Sequence, residues 1–299
     1  HAMQSAEAEL DIQRIADKVG YKSYKWPGGQ LANNQLFQAV DEEYMPAEDY
    51  DRLIADPSRY MWQTYVPNVM PELEGMRYWP NGLGIVELPF FTGNMASFAL
   101  PPLRATLEKL LEVSDLAAEW IQGGGPAGPV VYGELGLPLA PALAAATKAP
   151  LDFVGDTLRG TKAIMMDVYR RPDKVRAASE AFVPLAIDLA VNAATAFNNQ
   201  WVFIPLHKGA DGFMRQKDFD NLYLPTYKAV LDGLIAAGCV PWSFVEGGYN
   251  SRLDALAAAG IPEKSTMWWF DQTDMAEAKK KIGSWAGIGG NVPASVLAT

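Results

Sequence analysis

Four short apolar runs decide the fold: WVFIPLH at 201–207, CVPWSFV at 239–245, MWWF at 267–270 and WAGIGGNV at 285–292. Each has the length of a buried strand, and each gives way at its end to polar or glycine-rich sequence. Between them lie helical patterns at 219–238, 251–260 and 275–283. Strands alternating with helices of this size imply right-handed βαβ units and a parallel sheet. An open doubly wound sheet obeys the same grammar, but no G-x-G-x-x-G opens a helix to support nucleotide binding. The fold class expected is α/β, a parallel (β/α)8 barrel of the TIM type.

Working outward, the chain upstream of residue 201 is mostly helical in pattern. Residues 152–199 read as helices broken at Arg171-Pro172, where proline in a first turn followed by Asp173 is a start signal. Residues 95–122 are helical apart from Pro101 and Pro102, and 123–128 break that pattern. Residues 7–19 carry Leu10, Ile12, Ile15, Ala16 and Val19 at helical spacing, with Gly20 as the stop. The 26–37 segment is turn chemistry, and a helical pattern resumes from Met45 to Asp56-Pro57. The division expected is an N-terminal helical and loop extension over 4–80 and the barrel over 81–299, as one structural domain.

At 299 residues and 49% hydrophobic, the chain can bury a full core without disulfides. The lone Cys239 excludes an internal disulfide framework and reads as a buried, inert thiol. No run of about 18 uncharged apolar residues occurs, so neither a membrane span nor membrane partners are expected. His1, Ala2 and Met3 read as an expression remnant and start codon, not as a signal peptide. Together these give a cytoplasmic reading. A net charge of -10 repels a phosphate backbone, so nucleic acid is not an expected partner.

In parallel barrels the groups that act on substrate cluster where the strands end. The four runs finish at His207, with Lys208 and Asp211, at Glu246, with Tyr249 and Arg252, at Asp271, with Asp274, and at Asn291. Asp274 before Met275 reads as a helix N-cap. His207 is the one histidine besides His1 and reads either as a working imidazole or as a core histidine bonded to a carbonyl. Glu246, between Phe244-Val245 and Gly247-Gly248, is expected to be desolvated and held ionised by a cation, either zinc or Arg252. The expected catalytic set is Glu246, His207, Asp271 and Asn291. Tyr249, Arg252, Asp211 and Arg159 are expected to bind substrate, with Arg159 pairing to Asp156 or Asp167 as the structural alternative. Trp268-Trp269 reads as core.

Three pieces carry a resemblance to the uroporphyrinogen decarboxylase superfamily, which includes corrinoid-linked methyltransferases. The helix from Asp218-Phe219 to Leu224-Pro225-Thr226-Tyr227 resembles the family's corresponding helix, Met267 to Ala278 resembles its strand followed by D-x-x-x-A, and Gly290-Asn291-Val292-Pro293 resembles its Gly-Asn strand end. Trp26-Pro27-Gly28, Glu43-Tyr44-Met45 and Asp49-Tyr50-Asp51 look like its methyltransferase-like branch. The resemblance implies one further strand and helix beyond the last piece. The decarboxylases' R-Q-A-G-R motif has no counterpart before Arg52, and the His-x-Cys zinc pair of the coenzyme M methyltransferases is replaced here by Phe244 and Glu246.

The function this implies is transfer of a methyl group between a small methylated substrate and a corrinoid protein, with zinc on His207 and Glu246 as Lewis acid and methylcobalamin or another corrinoid on the partner. A homodimer is compatible with it. The alternatives are a metal-free decarboxylase or lyase, in which Arg252 or Arg215 holds a substrate carboxylate, and a barrel without catalysis.

Overall fold

The computed structural model describes residues 13–25, 30–32, 38–80, 87–122 and 145–292. The helix expected at 7–19 is present from 13 to 19. Its start, most of the 26–37 turn, the 123–128 break and Pro293 lie outside the described residues. The chain divides into two compact units, residues 1–127 and 128–299.

In the first unit, the helix Pro101–Gln122 packs on the 3-10 segment Pro71–Tyr78. Val19, Leu73 and Met76 form a small core with Leu110 and Val113 against it. The contact is close because residue 75 has no side chain. Its N–H donates to Thr106 Oγ1 at 2.9 Å, and a Cβ there would fall 2.0 Å from the Pro102 carbonyl oxygen. This approach, and the 2.7 Å ion pair of Lys18 with Glu112, tie 101–122 to the N-terminal segment. A two-residue antiparallel pair, β1 (Tyr24–Lys25) with β2 (Gln38–Ala39), also occurs where no strand was expected.

The second unit carries a five-stranded, all-parallel sheet in the order β3 (Ala145–Ala146), β4 (Trp201–Leu206), β5 (Val240–Val245), β6 (Met267–Phe270) and β7 (Gly287–Gly290). Strand order follows chain order without a reversal. The crossovers contain α1 (Gly160–Arg170) and α2 (Pro172–Ala196), then α3 (Leu224–Ala236), α4 (Leu253–Ala258) and α5 (Met275–Lys281). The sheet is a parallel α/β arrangement, and no closed barrel is formed among the described residues. Four of its strands match the four apolar runs, whereas β3 is two alanines long and gave no periodic signal.

Alternation along the strands separates two faces. Val202, Ile204, Leu206, Val245, Trp268 and Phe270 are fully buried on one of them. The helix α2 is long and apolar enough by composition to cross a membrane. In the fold its Ala178, Phe182, Ala186 and Ala190 recur at helical spacing as buried residues, and Thr147 Oγ1 donates to the Ala186 carbonyl. The opposite sheet face carries the half-buried rings of Phe203, Phe244 and Trp269. Trp268 is thus core as expected, but its neighbour Trp269 turns to the other side.

The close approach at residue 75 makes a direct prediction. Gly75→Ala should lower unfolding stability by roughly 1–3 kcal/mol, the usual cost of forcing a methyl into a packed contact. Denaturant titration of parent and variant measures it, and an unchanged midpoint would show that the Pro102 backbone yields without cost.

Candidate functional site

Parallel pairing puts Leu206, Val245, Phe270 and Gly290 side by side across β4 to β7. The next residue on each strand is His207, Glu246, Asp271 and Asn291. The ladder continues one step into this row: the N–H groups of Glu246, Asp271 and Asn291 donate to the carbonyls of Leu206, Val245 and Phe270. By alternation His207, Glu246 and Asp271 fall on the face of Phe203, Phe244 and Trp269, whereas Gly290 and Asn291 leave the extended conformation, with φ 96° and 62°. The four strand-end residues therefore share one end of the sheet.

Within this row His207 and Glu246 make the close pair. His207 Nε2 lies 3.4 Å from Glu246 Oε1, and His207 Nδ1 lies 2.5 Å from Asp156 Oδ2. Asp156 is well shielded at 16% side-chain exposure, whereas Glu246 is 48% exposed. The expected desolvation of Glu246 does not occur, because Gly247 and Gly248 have no side chains to cover it. Its cation partner is His207 and not Arg252.

Two cations share Asp156 with the imidazole. Lys148, two residues beyond β3, approaches Asp156 Oδ2 at 2.9 Å, and Lys208 Nζ approaches Oδ1 at 3.1 Å. Lys208 Nζ also donates to Thr161 Oγ1 at 2.9 Å. Burial opposes ionisation of Asp156, but the His207 hydrogen bond and these lysines outweigh it and hold its carboxyl well below the usual range. Burial likewise disfavours a charged His207. The hydrogen bonds to Asp156 and Glu246 prevail and push it up to about 10, so the ring is an imidazolium at neutral pH.

Behind this pair stands Asp152, with no side-chain exposure. Its Oδ1 accepts the Lys208 N–H at 2.8 Å, and its Oδ2 accepts the His207 N–H at 3.1 Å and the Tyr223 hydroxyl at 2.7 Å. Burial raises its pKa, as does the neighbouring charge of Asp156, against the pull of His207 and the two N–H donors. Sequence reading missed Asp152 as a site residue and considered Asp156 only as a partner for Arg159. The usable signal was two carboxylates four apart, directly after an apolar stretch, where one helical face presents both.

The other expected site residues serve the loops. Asp271 Oδ2 accepts the Gly247 N–H at 3.2 Å, and Asn291 Oδ1 accepts the Thr273 N–H at 3.0 Å. Asn291 takes a left-handed backbone, φ 62°, which asparagine tolerates better than most residues. Asp211 accepts from Ser251 through both oxygens, and the Tyr249 N–H donates to Thr273 Oγ1 within a fully buried setting. Asp274 caps α5 by accepting from the N–H groups of Ala276 and Glu277, as expected.

Arg252 and Arg159 depart from the substrate-binding expectation. Arg252 is buried, and its guanidinium donates to the carbonyls of Gly209 and Met214 and to Gln216 Oε1 while stacking over Phe219. It staples the loop after β4 because that loop folds back over it. Arg159 is buried against Asp167, with Nε to Oδ2 at 2.6 Å, which is the structural alternative. Arg215 forms a two-point pair with Asp218 on the surface.

A catalytic zinc ordinarily takes three protein ligands. His207 Nε2 and Glu246 Oε1 could flank one ion, with Asp156 orienting the ring from behind. Among the described residues no group of three His, Cys, Asp or Glu side chains is placed to hold a metal.

Compared with models of known protein families and with curated proteins, the chain matches none.

The His207–Asp156 pair fixes the sign of a pH effect. His207 rises from 6.5 when unfolded to about 10 when folded, so its contribution is complete below pH 6.5 and is lost as pH climbs toward 10. Asp156 is lowered from 3.8, so its contribution is complete above that value and is lost as pH falls through its folded value. Melting temperatures of parent and Asp156→Asn, followed from pH 6 to 10, should converge as pH rises. Parallel curves across that range would refute the pairing.

Proposed function

We propose that this chain is a methyltransferase-like enzyme in which His207 is the proton donor to the heteroatom that leaves the methyl group. One observation carries the reading: an imidazole locked on one side to a shielded carboxylate presents its other nitrogen toward a half-exposed one, at the ends of parallel strands. In the reaction the carbon–oxygen bond of a methyl ether breaks, its electron pair stays on oxygen, and the Nε2 proton of His207 neutralises that oxygen. The methyl carbon accepts an electron pair from an external nucleophile. The acceptor implied by the resemblance is a reduced corrinoid on a separate protein. Asp156 keeps the ring protonated and oriented, and Glu246 can accept the Nε2 proton's hydrogen bond until substrate displaces it.

The same reading takes the five strands as one arc of a (β/α)8 barrel. Strand order without reversal supports this, because a doubly wound sheet reverses at its switch point. The half-buried rings of Phe203, Phe244 and Trp269 then lie below the polar row and offer an apolar floor to a small substrate. Cytoplasmic localisation belongs to this reading and is supported by the single, buried thiol of Cys239. The decarboxylase-type alternative draws less support, since Arg252 and Arg215, which would hold a substrate carboxylate, are engaged elsewhere.

Methyl transfer from a panel of methyl ethers, thioethers and methylamines to a reduced corrinoid tests the proposal. A proton donor of this kind contributes roughly 10²–10⁴-fold, so His207→Gln should lose about that factor. The parent rate should hold through neutral pH and decline as pH rises through about 10, where His207 loses its proton. In Asp156→Asn the decline should move toward 6.5. A His207→Gln enzyme with parental turnover would overturn the assignment.

A further inference from the structure

We infer that Asp152, together with Tyr223, is a positioning residue for His207, holding the end of β4 where the imidazole meets Asp156. This deepens the reading of His207 as a working group and rests on it for its catalytic consequence. The geometry is a two-point clamp. Asp152 takes the backbone N–H groups of His207 and Lys208, and Asp156 takes the His207 ring. Both carboxylates belong to one stretch, since Asp152 ends Pro150–Asp152 and Asp156 sits in the π-helical turn Phe153–Arg159. Wide turns of this type recur at functional sites, and here the turn aims two residues four apart at one strand end.

Two features show that the clamp is built into the packing. Residue 155, between the carboxylates, is glycine, and a Cβ there would lie 3.3 Å from Lys208 Cγ, so the turn and the strand end approach closely. Tyr223 is also buried, and its hydroxyl supplies the third donor to Asp152 from the segment Phe219–Tyr223. Buried carboxyl oxygens need such donors in place of water, and once they are in place the group resists any movement that breaks them. The strand end is thereby held from two elements, and the ring's place follows from the backbone's. Asp152 touches no reacting atom in this scheme. It acts through His207, whose other charged neighbours are Asp156, Glu246, Lys148 and Lys208.

The test uses nuclear magnetic resonance of the imidazole, because His207 is the one histidine besides His1. The parent should show a strongly downfield ring N–H proton from Nδ1, and Asp156→Asn should abolish it. Asp152→Asn places an amide N–H₂ against donors, so this variant, shown folded by circular dichroism, should lose or weaken that proton. Its His207 titration should also fall by about one pKa unit or more from the parent value. Tyr223→Phe should shift both readouts in the same direction by less. A purely structural Asp152 would lower the melting temperature yet leave the proton and titration of the folded protein as in the parent, and that result overturns the inference. Where Asp152→Asn fails to fold, Tyr223→Phe decides, and an unchanged His207 spectrum in it overturns the inference equally. None of these readouts needs turnover, so a His207→Gln enzyme that kept its rate would sink the proposed function while leaving this coupling to stand or fall separately.

Discussion

A carboxylate with no access to water constrains everything around it. Asp152 has lost its hydration, and carboxyl oxygens in that position are tolerated only where donors replace the water. The donors come from the backbone of His207 and Lys208 at the end of β4 and from the Tyr223 hydroxyl. Three separated pieces of chain are thereby brought to one point: the turn after β3, the end of β4 and the helical segment after it. Moving any of them would leave a buried acceptor unsatisfied, at a cost of about 1–3 kcal/mol. The arrangement of Asp156, Lys148 and Lys208 around the imidazole depends on this anchor, because each hangs from one of the pieces it joins.

The polar row at the strand ends was legible for a different reason. In a parallel ladder every strand contributes the same layer, so a polar residue after each apolar run falls in register with its neighbours. Finding where the apolar runs 201–206, 239–245, 267–270 and 285–290 stop was enough to put His207, Glu246, Asp271 and Asn291 in one layer at the strand ends. Solvation and partnership were not legible there, since both depend on chain distant in sequence. Glu246 lies open because two glycines follow it. Arg252 turns inward because the loop after β4 wraps it with carbonyls. Asp152 and Asp156 gave no motif of their own, and β3 is too short to show a period. The partner of the helix at 101–122 was not legible for a related reason, since a helix can belong to either neighbour until its packing face is known. The contact of residue 75 with the Pro102 backbone settles it for 101–122.

The two carboxylates beside His207 differ in what they can give up. Asp156 is short-bonded and shielded, so releasing the ring would break a hydrogen bond that water is poorly placed to replace. Glu246 is half exposed and 3.4 Å away, and water can replace the imidazole as its partner at little cost. The asymmetry separates two tasks that a proton donor must meet. One side must fix the ring and keep it charged, and the other must yield to an incoming oxygen. A ring held equally tightly on both sides would stay protonated but have nothing to offer a substrate.

The loops reinforce this division. Arg252 ties the loop after β4 to itself, Asp211 ties it to Ser251, and Asp271 and Thr273 take N–H groups from the loop after β5. Residues that sequence alone presented as substrate ligands are thus spent on holding backbone in place. Their contribution to chemistry is indirect, because a site whose donors are fixed before substrate arrives pays less reorganisation at the moment of reaction. What remains adjustable is the Glu246 side chain on its glycine-flanked strand end. In the proposed reaction a substrate heteroatom would approach His207 from the side of the half-exposed Glu246, opposite the shielded Asp156.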